Sequence, residues 1–557
     1  MQNGSMFEMG TVPRTMYSKL ELENVRYQKT DVSWYDMVLC RRPMSRMVLK
    51  DVSLDVGSGE VMAVMGSAGS GKTFLLNAIA QRGAGFLSGL ITMNGARITS
   101  KYFSDHGAYV AYDHKLMPLL TVQETLGYAA DLTFGSKISS KKKRERVKWA
   151  MVELDLVHVE NDLVRNLSES ERRRVIIGLQ LIKDPLILLV EEPMTGLDSF
   201  SANSIISLLS RFAKKYYRIV VFTAHRPRSD IFPLLDRVTY LCAGEVVFTG
   251  YTKNMLEYFH SIGHPCPEFE NPLDYYLTLA SLDRRTPARL IETTTKVEKL
   301  TEKFRQFGSL HQRYTGERND EYRLDPSHSR TSMSAYGKPN PITNTITLTR
   351  RASWHLMRDW QHLSWRILHL PFFFLILFLF IWKLQNNQAG VQTRLGIIFY
   401  SMAGVSFLSC LTSAFHFGFH RNIYYQESKD NLYSGFVFIL SQMLYNFIPN
   451  VITTFGGGAI LYWPIRSLPD YILYPSFVTV YRYAGYVIAD NEFRDLDVDC
   501  SGPSVCRYDS GRKVLTTLWG DTNSSNFHFG IMFLMYGILC VVTLFIYLLP
   551  LKKKVRP

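Results

Sequence analysis

The residues best suited to do chemistry form a glycine-rich loop directly after an apolar run. Residues 66–73 read Gly-Ser-Ala-Gly-Ser-Gly-Lys-Thr; they follow the apolar residues 61–65 and precede a helical pattern. Glycines at this spacing let successive backbone N–H groups surround a phosphate, and the start of the following helix adds positive potential. The lysine would reach the β- and γ-phosphates and the next hydroxyl would ligate Mg²⁺, so the sequence predicts binding of ATP or GTP. The predicted nucleotide-binding residues in this loop are Gly66, Ser67, Ala68, Gly69, Ser70, Gly71, Lys72 and Thr73.

Strands and helices must position this loop, and the surrounding sequence predicts both. Residues 20–25 and 48–54 have the alternation of strands, and the apolar run 186–190 reads as a buried strand that ends in Glu191 and Glu192. These patterns alternate with helical ones, so we expect an α/β domain around the loop.

Two helix starts and one more strand complete this domain. Thr121 is followed three residues later by Glu124, which is typical of a helix N-terminus. A second helix is predicted to open within residues 167–178, and the apolar strand 219–223 leads to His225.

The C-terminal half contains apolar stretches that are long enough to cross a membrane. Residues 367–382 are nearly all Leu, Ile and Phe, and residues 529–549 carry no charge. About 20 apolar residues cross a bilayer. Such stretches beside a nucleotide-binding loop predict that hydrolysis drives a process in the membrane. The predicted spans lie near 367–383, 395–418, 446–463 and 529–549.

Composition agrees with this division and disfavours a nucleic-acid partner. The chain has 557 residues, a formal net charge of +14 and seven cysteines, too few for a disulfide scaffold. Its basic residues are scattered or flank the spans, as the positive-inside rule describes, and the run 141–146 reads as a solvated helix face. The polar first thirty residues do not resemble a signal peptide, so we expect the nucleotide domain in the cytosol.

Five motifs in order resemble an ATP-binding cassette. They are the phosphate loop, Leu-Ser-Glu-Ser-Glu-Arg-Arg-Arg at 167–174, the strand ending in two acids, Thr-Gly-Leu-Asp at 195–198, and His225. The cassette precedes the spans and is followed by Asn-Pro-Leu-Asp-Tyr-Tyr at 271–276, which resembles the G subfamily of half-transporters. The implied fold is an α/β cassette domain at 1–285, a linker at 286–345 and an all-α transmembrane domain at 346–557.

The resemblance implies a function and partners. Residues 171–174, 225–229 and 263–267 resemble the sterol-exporting members of that subfamily, which work as heterodimers. The implied protein is a subunit of an ATP-driven lipid or sterol exporter in the plasma membrane. Two alternatives stay open: a truncated regulatory subunit that binds ATP and a partner without transporting, and a pigment-precursor transporter.

The resemblance also assigns roles to individual residues. In this family two cassettes close head-to-tail on two ATP molecules, and each site joins one phosphate loop to the partner's signature, here at Ser168. Glu192 matches the general base that activates water. Glu191 stands where the family has the aspartate that holds Mg²⁺ through water. His225 matches the residue that contacts the γ-phosphate, and Asp198 lies in the loop that crosses to the partner.

Three departures from the family pattern bear on activity. Glu191 is one methylene longer than the family's aspartate. Tyr112 replaces a glutamine whose amide oxygen would ligate the metal. Glu169 and Ser170 replace the two signature glycines, and a carboxylate there would repel a triphosphate. We therefore expect a defective signature and hydrolysis that depends on a partner.

The membrane domain is shorter than the six spans of the family. The sequence passes from Tyr462-Trp463-Pro464, which resembles the end of the third span, to residues that resemble the segment after the fifth span, so the fourth and fifth spans are missing. Four spans keep both termini in the cytosol. The segment before the last span would then be extracellular, which makes Cys500 and Cys506 disulfide candidates and Asn523 a glycosylation site.

Overall fold

A computed structural model describes most of the chain. The described residues are 18–31, 44–83, 85–135, 138–225, 229–308, 338–380, 388–462, 490, 493, 510 and 512–515. They divide into two compact units. Unit 1 holds the described residues up to Asn340 together with Lys429–Leu432, and unit 2 holds Pro341–Ser428 and the described residues from Tyr433 onward. The last predicted span, Cys500, Cys506 and Asn523 lie outside the described residues.

Unit 1 alternates strands and helices, as its sequence pattern predicts. Its strands are β1 Lys19–Asp31, β2 Met44–Gly57, β3 Val61–Met65, β4 Gly85–Met93, β5 Ala96–Arg97, β6 Gly107–Val110, β7 Ile187–Val190, β8 Ile219–Ala224, β9 Arg237–Cys242 and β10 Glu245–Tyr251. Its α-helices are α1 Lys72–Ile79, α2 Ser100–His106, α3 Val122–Thr133, α4 Ser140–Glu153, α5 Glu169–Leu181, α6 Ser199–Tyr216, α7 Thr252–Ser261, α8 Pro272–Leu279 and α9 Pro287–Lys303. Short 3₁₀ turns occur at Val157–Val159, Val164–Asn166 and Ser229–Leu234.

The strands form two sheets. One is antiparallel, in the order β2-β1-β4-β5, and the other has the order β10-β9-β3-β8-β7-β6. In the second sheet β6, β7, β8, β3 and β9 run parallel, and only the edge strand β10 is antiparallel. Parallel strands are covered on both faces, which is why β3, β7 and β8 are apolar without alternation.

Strand β3 connects the two cores of unit 1. Val61, Ala63 and Met65 belong to one buried cluster, whereas Met62 and Val64 belong to the other. Successive side chains of a strand point to opposite faces, so this five-residue run packs on both sides of the sheet. The phosphate loop therefore begins at the end of a strand that is packed on both faces.

The predicted helix starts are confirmed. Thr121 and Glu124 form a reciprocal capping box at the start of α3, and Ser168 and Glu171 form another at the start of α5. Each box satisfies backbone N–H groups that the helix itself leaves without partners.

The linker predicted at 286–345 is partly wrong. Helix α9 occupies Pro287–Lys303, with Thr286 as its N-cap and Pro287 in its first turn. Val297 and Leu300 are buried in the cassette core, so two apolar side chains one turn apart hold an otherwise polar helix on the unit.

The run 141–146 is not wholly a solvated helix face. Arg146 is buried, and it donates to the backbone carbonyls of Leu181 and Ile182. Its guanidinium shares the Asp184 carboxylate, at 3.3 Å, with Arg218 at 2.8 Å. Burial lowers the pKa of Arg146 to about 10 although Asp184 opposes the shift. One carboxylate thus holds two buried cations.

Unit 2 is helical. Its helices are α10 Pro341–Arg358, α11 Trp360–Phe380, α12 Gln388–Lys429 and α13 Gly435–Tyr462. Among the described residues, Gly435–Thr453 alone has the length and apolarity to cross a membrane, or two stretches do if the bent pair Phe399–Phe415 and Phe417–Lys429 counts as one span. The apolar stretch of α13 begins before the span predicted at 446–463, because no charged residue occurs between Gly435 and Tyr462.

An ion pair joins the helices of unit 2. Arg351 of α10 is buried and holds Glu427 of α12 through both guanidinium nitrogens, at 2.5 and 2.9 Å, and the Tyr433 hydroxyl donates to the same carboxylate. Leu348, Ala352 and Leu356 of α10 are also buried, whereas Ile342, Ile346 and Met357 are exposed. Helix α10 therefore has one buried face and one exposed face.

We expect Asp184→Asn to destabilise the protein by on the order of 3 kcal/mol, because it leaves two buried guanidinium groups without their counter-charge. Asp184 has φ 55, a left-handed conformation that asparagine also adopts, so the backbone is undisturbed. The measurement is the shift in the thermal unfolding midpoint of the purified chain.

Asp155→Asn is the matched control. Asp155 also has φ 55 and also pairs with an arginine, Arg174 at 3.3 Å, but its side chain is 82% exposed. An exposed pair contributes at most about 1 kcal/mol. Equal shifts for the two variants would contradict the role given to Asp184.

Candidate functional site

The phosphate loop has the backbone geometry that a phosphate requires. Gly71 has φ 108, which side-chain-bearing residues rarely adopt, and a Cβ atom on Gly66 would lie 2.2 Å from the carbonyl oxygen of Leu241. Both positions therefore require glycine. The loop connects the carboxyl end of β3 to α1, so the N-terminal amides of a helix face the loop.

Lys72 lies inside the loop. Its Nζ donates to the carbonyl oxygens of Gly66 at 2.7 Å and Ser67 at 3.1 Å, and it lies 3.1 Å from Nδ1 of His225. Burial lowers the pKa of Lys72 to about 8, and Glu192 opposes the shift. The ammonium is thus desolvated and held by weak acceptors that the oxygens of a triphosphate can replace.

Glu192 and His225 continue this chain of polar contacts. His225 Nε2 lies 3.4 Å from Glu192 Oε1. Because a lysine ammonium can only donate, Nδ1 accepts and Nε2 carries the proton toward Glu192. Glu192 has φ 45, its N–H donates to Thr223 Oγ1 at 3.0 Å, and the Thr195 hydroxyl donates to Oε2 at 3.0 Å. These bonds orient a carboxylate that can accept a proton from water.

Glu191 has a different environment. The Tyr109 hydroxyl donates to its Oε1 at 2.6 Å, and the backbone N–H of Tyr112 donates to its Oε2 at 3.2 Å. Both carboxylate oxygens therefore already hold protein donors.

The residues expected to hold Mg²⁺ fit the ion only in part. Thr73 is exposed at the start of α1, where its hydroxyl can ligate a metal. Glu191 accepts hydrogen bonds from two protein donors. The guanidinium of Arg173 lies over the ring of Tyr112, 5.2 Å from the ring centre. Thr73 suits the ion, whereas both carboxylate oxygens of Glu191 already accept from protein donors and Tyr112 has no amide oxygen to offer.

The signature segment begins helix α5. The Ser168 hydroxyl accepts from the backbone N–H of Glu171 at 3.3 Å and donates to its carboxylate at 2.7 Å. Glu169, the first residue of the helix, is 67% exposed and pairs with Arg172 at 2.8 Å. Burial raises the pKa of Glu171, but bonds from Ser168 and His158 outweigh it and the pKa is lowered. Two carboxylates thus lie in the first turn of this helix.

Asp198 caps helix α6. Its carboxylate accepts from the backbone N–H of Ser201 at 3.1 Å, and bonds from the Ser201 hydroxyl and from nearby backbone N–H groups lower its pKa. Phe200 in the next turn is 82% exposed. An exposed cap followed by an exposed aromatic ring is a surface suited to a partner.

Asp430 lies at the far ends of two of these helices. Its carboxylate pairs with Arg82, just after α1, at 2.6 Å and accepts from Gln180 in α5 at 2.8 Å. Burial raises its pKa, but buried Lys183 together with Arg82 outweighs this effect and lowers the pKa to about 2. Unit 1 therefore binds a charged residue of segment Lys429–Leu432 opposite the phosphate loop and the signature.

The structure joins some of the predicted site residues and separates others. Lys72, His225 and Glu192 form one chain of contacts, whereas Ser168 and Asp198 cap helices α5 and α6. Sequence reasoning missed the supporting hydroxyls of Tyr109 and Thr223, and it gave the hydroxyl of Thr195 in the motif 195–198 no role. The partners of Tyr109 and Thr223 are set by the packing of neighbouring strands, which a motif cannot indicate.

The ring of Tyr27 in β1 is buried near the phosphate loop. It is 3% exposed, contacts Phe74 with ring centres 5.6 Å apart, and lies against Gly83 and Gly85. Burial raises its pKa. Tyr27 is therefore a residue of the core.

Two family models match the chain. Residues 49–195 match the model described as ABC transporter, and residues 343–485 match the model described as ABC-2 type transporter. The first match covers the phosphate loop, the signature segment and the two acids, and the second covers most of the described part of unit 2.

Known proteins are similar over most of the chain. Human ATP-binding cassette sub-family G member 5 is 34% identical over 449 residues, which cover 78% of this chain and 68% of that protein. Rat ATP-binding cassette sub-family G member 8 is 31% identical over 375 residues, covering 65% and 54%. The mouse broad substrate specificity ATP-binding cassette transporter ABCG2 is 30% identical over 379 residues, covering 63% and 57%.

We expect ATP affinity to be independent of Lys72 ionisation below about pH 8 and to fall by up to about tenfold per pH unit above it. The sign follows from the lowered pKa: above it the free site loses the ammonium, so binding of a triphosphate must take up a proton. Fluorescence titration of ATP binding between about pH 7 and about pH 9 measures the slope.

The Lys72→Arg variant is the control, since a guanidinium stays charged throughout this range. Its affinity should be lower because the longer side chain fits the loop less well, but its pH slope should vanish. A flat profile for the unaltered chain, or the same slope in both proteins, would contradict the assignment.

Proposed function

Because this chain belongs to the G subfamily of ATP-binding cassette half-transporters, we propose that it is one subunit of a heterodimeric ATP-driven lipid exporter with a sterol as cargo. As members of this family do, the chain binds ATP, hydrolyses it and resides in a membrane. The sterol, the second subunit, the plasma membrane as location and the individual site residues are the proposed part.

The chain of contacts from Lys72 through His225 to Glu192 carries the proposal. On nucleotide binding the Lys72 ammonium moves from the loop carbonyls to the phosphate oxygens, and His225 is released to donate to the γ-phosphate. Glu192, oriented by Thr195 and Thr223, accepts the proton of the attacking water as general base.

The requirement for a second, different subunit follows from the signature segment. Each composite site of the family uses one chain's phosphate loop and the other's signature. Glu169 brings a carboxylate to the position of a signature glycine in this chain, where like charge opposes a triphosphate. A homodimer would have two defective sites, whereas a heterodimer keeps one site, built from this chain's loop and a partner's intact signature.

Coupling to the membrane domain is proposed to run through segment Lys429–Leu432. It begins at the last residue of α12, yet it belongs to the same compact unit as the cassette. Asp430 contacts the ends of α1 and α5, and the opposite ends of these helices bear Lys72 and the signature. A rigid helix transmits displacement along its axis, so closure at either nucleotide site would move Asp430.

The cargo is proposed from resemblance. Residues 171–174 and 263–267 resemble the sterol-exporting members and disfavour the pigment-precursor alternative. Apolar helices suit any lipid-like cargo, so the spans do not distinguish sterol from other lipids. The degraded signature and the two missing spans favour a second candidate, a regulatory subunit that binds ATP and a partner without transporting.

We expect the purified chain alone to show ATPase activity near background, because both composite sites of a homodimer would contain Glu169. Co-expression with a G-subfamily subunit that has two signature glycines should produce activity. Glu192→Gln should remove that activity again, because the amide cannot act as the base. Phosphate release by the purified complexes is the measurement.

A repaired signature provides the control for this result. The double variant Glu169→Gly, Ser170→Gly should raise ATPase activity of the chain alone at least about tenfold, about 1.4 kcal/mol in the barrier. Robust turnover by the unaltered chain, or no gain on repair, would contradict partner dependence.

Sterol efflux distinguishes the exporter from the regulatory subunit. Cells co-expressing a competent partner with this chain are compared with cells in which the chain carries two further spans inserted after Trp463. Loss of two helices leaves small and apolar faces of the other spans without packing partners, so we expect efflux only from the six-span form. Equal efflux from both would show that four spans suffice.

A further inference from the structure

A buried tyrosine, Tyr109, donates a hydrogen bond to Glu191, the first acidic residue after β7. Tyr109 of β6 is 6% exposed, and its hydroxyl donates to Glu191 Oε1 at 2.6 Å, the usual length of a hydrogen bond from a hydroxyl to a carboxylate. A tyrosine hydroxyl has one proton to donate, and here Glu191 receives it.

The backbone fixes the rest of this arrangement. Strands β6 and β7 pair in register, with Tyr109 beside Leu189, and the Glu191 N–H continues the ladder to the carbonyl of Val110 at 2.8 Å. The N–H of Tyr112 then reaches Glu191 Oε2 at 3.2 Å. Both oxygens of the carboxylate are directed by the same neighbouring strand and the loop after it.

Arg82 holds the tyrosine from its other side. Its guanidinium lies 4.9 Å from the centre of the Tyr109 ring and is itself paired with Asp430. The tyrosine thus has neighbours on the ring face as well as at the hydroxyl. An aspartate at position 191 would be shorter by one carbon–carbon bond, about 1.5 Å, and would not reach the hydroxyl without a shift.

We propose that Tyr109 and the Tyr112 backbone hold Glu191 away from the metal, so that the magnesium ion at this phosphate loop is retained by the nucleotide and Thr73 with little help from the protein. The carboxylate serves as an acceptor that joins β6 to β7. Tyr109 is a positioning residue in this arrangement. The inference rests on the proposed nucleotide site and concerns how strongly that site retains the metal ion.

One consequence is measurable without turnover. If the protein adds little to metal retention, its affinity for ATP should differ by less than about threefold between excess Mg²⁺ and a chelator, about 0.7 kcal/mol. Likewise, the complex of the chain with ATP should bind Mn²⁺ about as tightly as free ATP does, which electron paramagnetic resonance measures directly.

Two variants should return the carboxylate to the metal. Tyr109→Phe removes the hydroxyl while leaving the ring, and Glu191→Asp removes the reach to that hydroxyl. Each should strengthen Mn²⁺ retention in the ATP complex of the full chain by at least about tenfold, about 1.4 kcal/mol. ATP affinity in chelator should stay unchanged in both.

Tyr216→Phe is the matched control, because it also removes a tyrosine hydroxyl that donates to a glutamate, Glu153 at 3.0 Å, outside the phosphate loop. It should leave metal retention unaltered. Strong retention of Mn²⁺ by the unaltered chain, equal to that of Glu191→Asp, would overturn the inference alone. Failure of the chain to bind ATP in either condition would overturn the proposed nucleotide site and this inference with it.

Discussion

A buried ammonium among backbone carbonyls is the interaction on which the nucleotide site depends. Lys72 is 5% exposed and is held by Gly66 and Ser67, residues of its own loop. It also meets His225, which is 153 positions away in the chain, because β3 and β8 are hydrogen-bonded neighbours that end at the same edge of the sheet. The position of one cation thus aligns the phosphate loop with the strand that delivers the histidine, and through the histidine with Glu192.

The segments proposed to act in catalysis differ in how well they suit ATP hydrolysis. Glu192 is oriented by two hydroxyl groups and a left-handed backbone, as a residue held for a task would be. The signature end of α5 instead bears Glu169, whose charge opposes the ligand that this position binds elsewhere in the family. In the proposed heterodimer, the phosphate loop of this chain would therefore work with the signature of the second subunit.

Helices α1 and α5 both extend from the proposed nucleotide-binding segments toward Asp430. Each has a nucleotide-facing start, and near their other ends Arg82 and Gln180 share the buried carboxylate of Asp430. A carboxylate with ionic and amide partners from two elements responds to the displacement of either. The Arg351–Glu427 pair in unit 2 has a similar construction, with a buried guanidinium and a tyrosine hydroxyl on one carboxylate. In each unit, a buried ion pair therefore connects two different segments and helps to fix their relative positions.

What the sequence determined by itself is local. The glycine loop, the apolar strands and the capping pairs Thr121–Glu124 and Ser168–Glu171 are set by neighbours a few residues apart, and the structure confirms them. Only the tertiary structure showed that Arg146 is buried, that α9 packs within the predicted linker, and that Tyr109 holds Glu191 across 82 positions. The partners of these residues come from elements distant in sequence, and a pattern of residue types carries no distance between such elements.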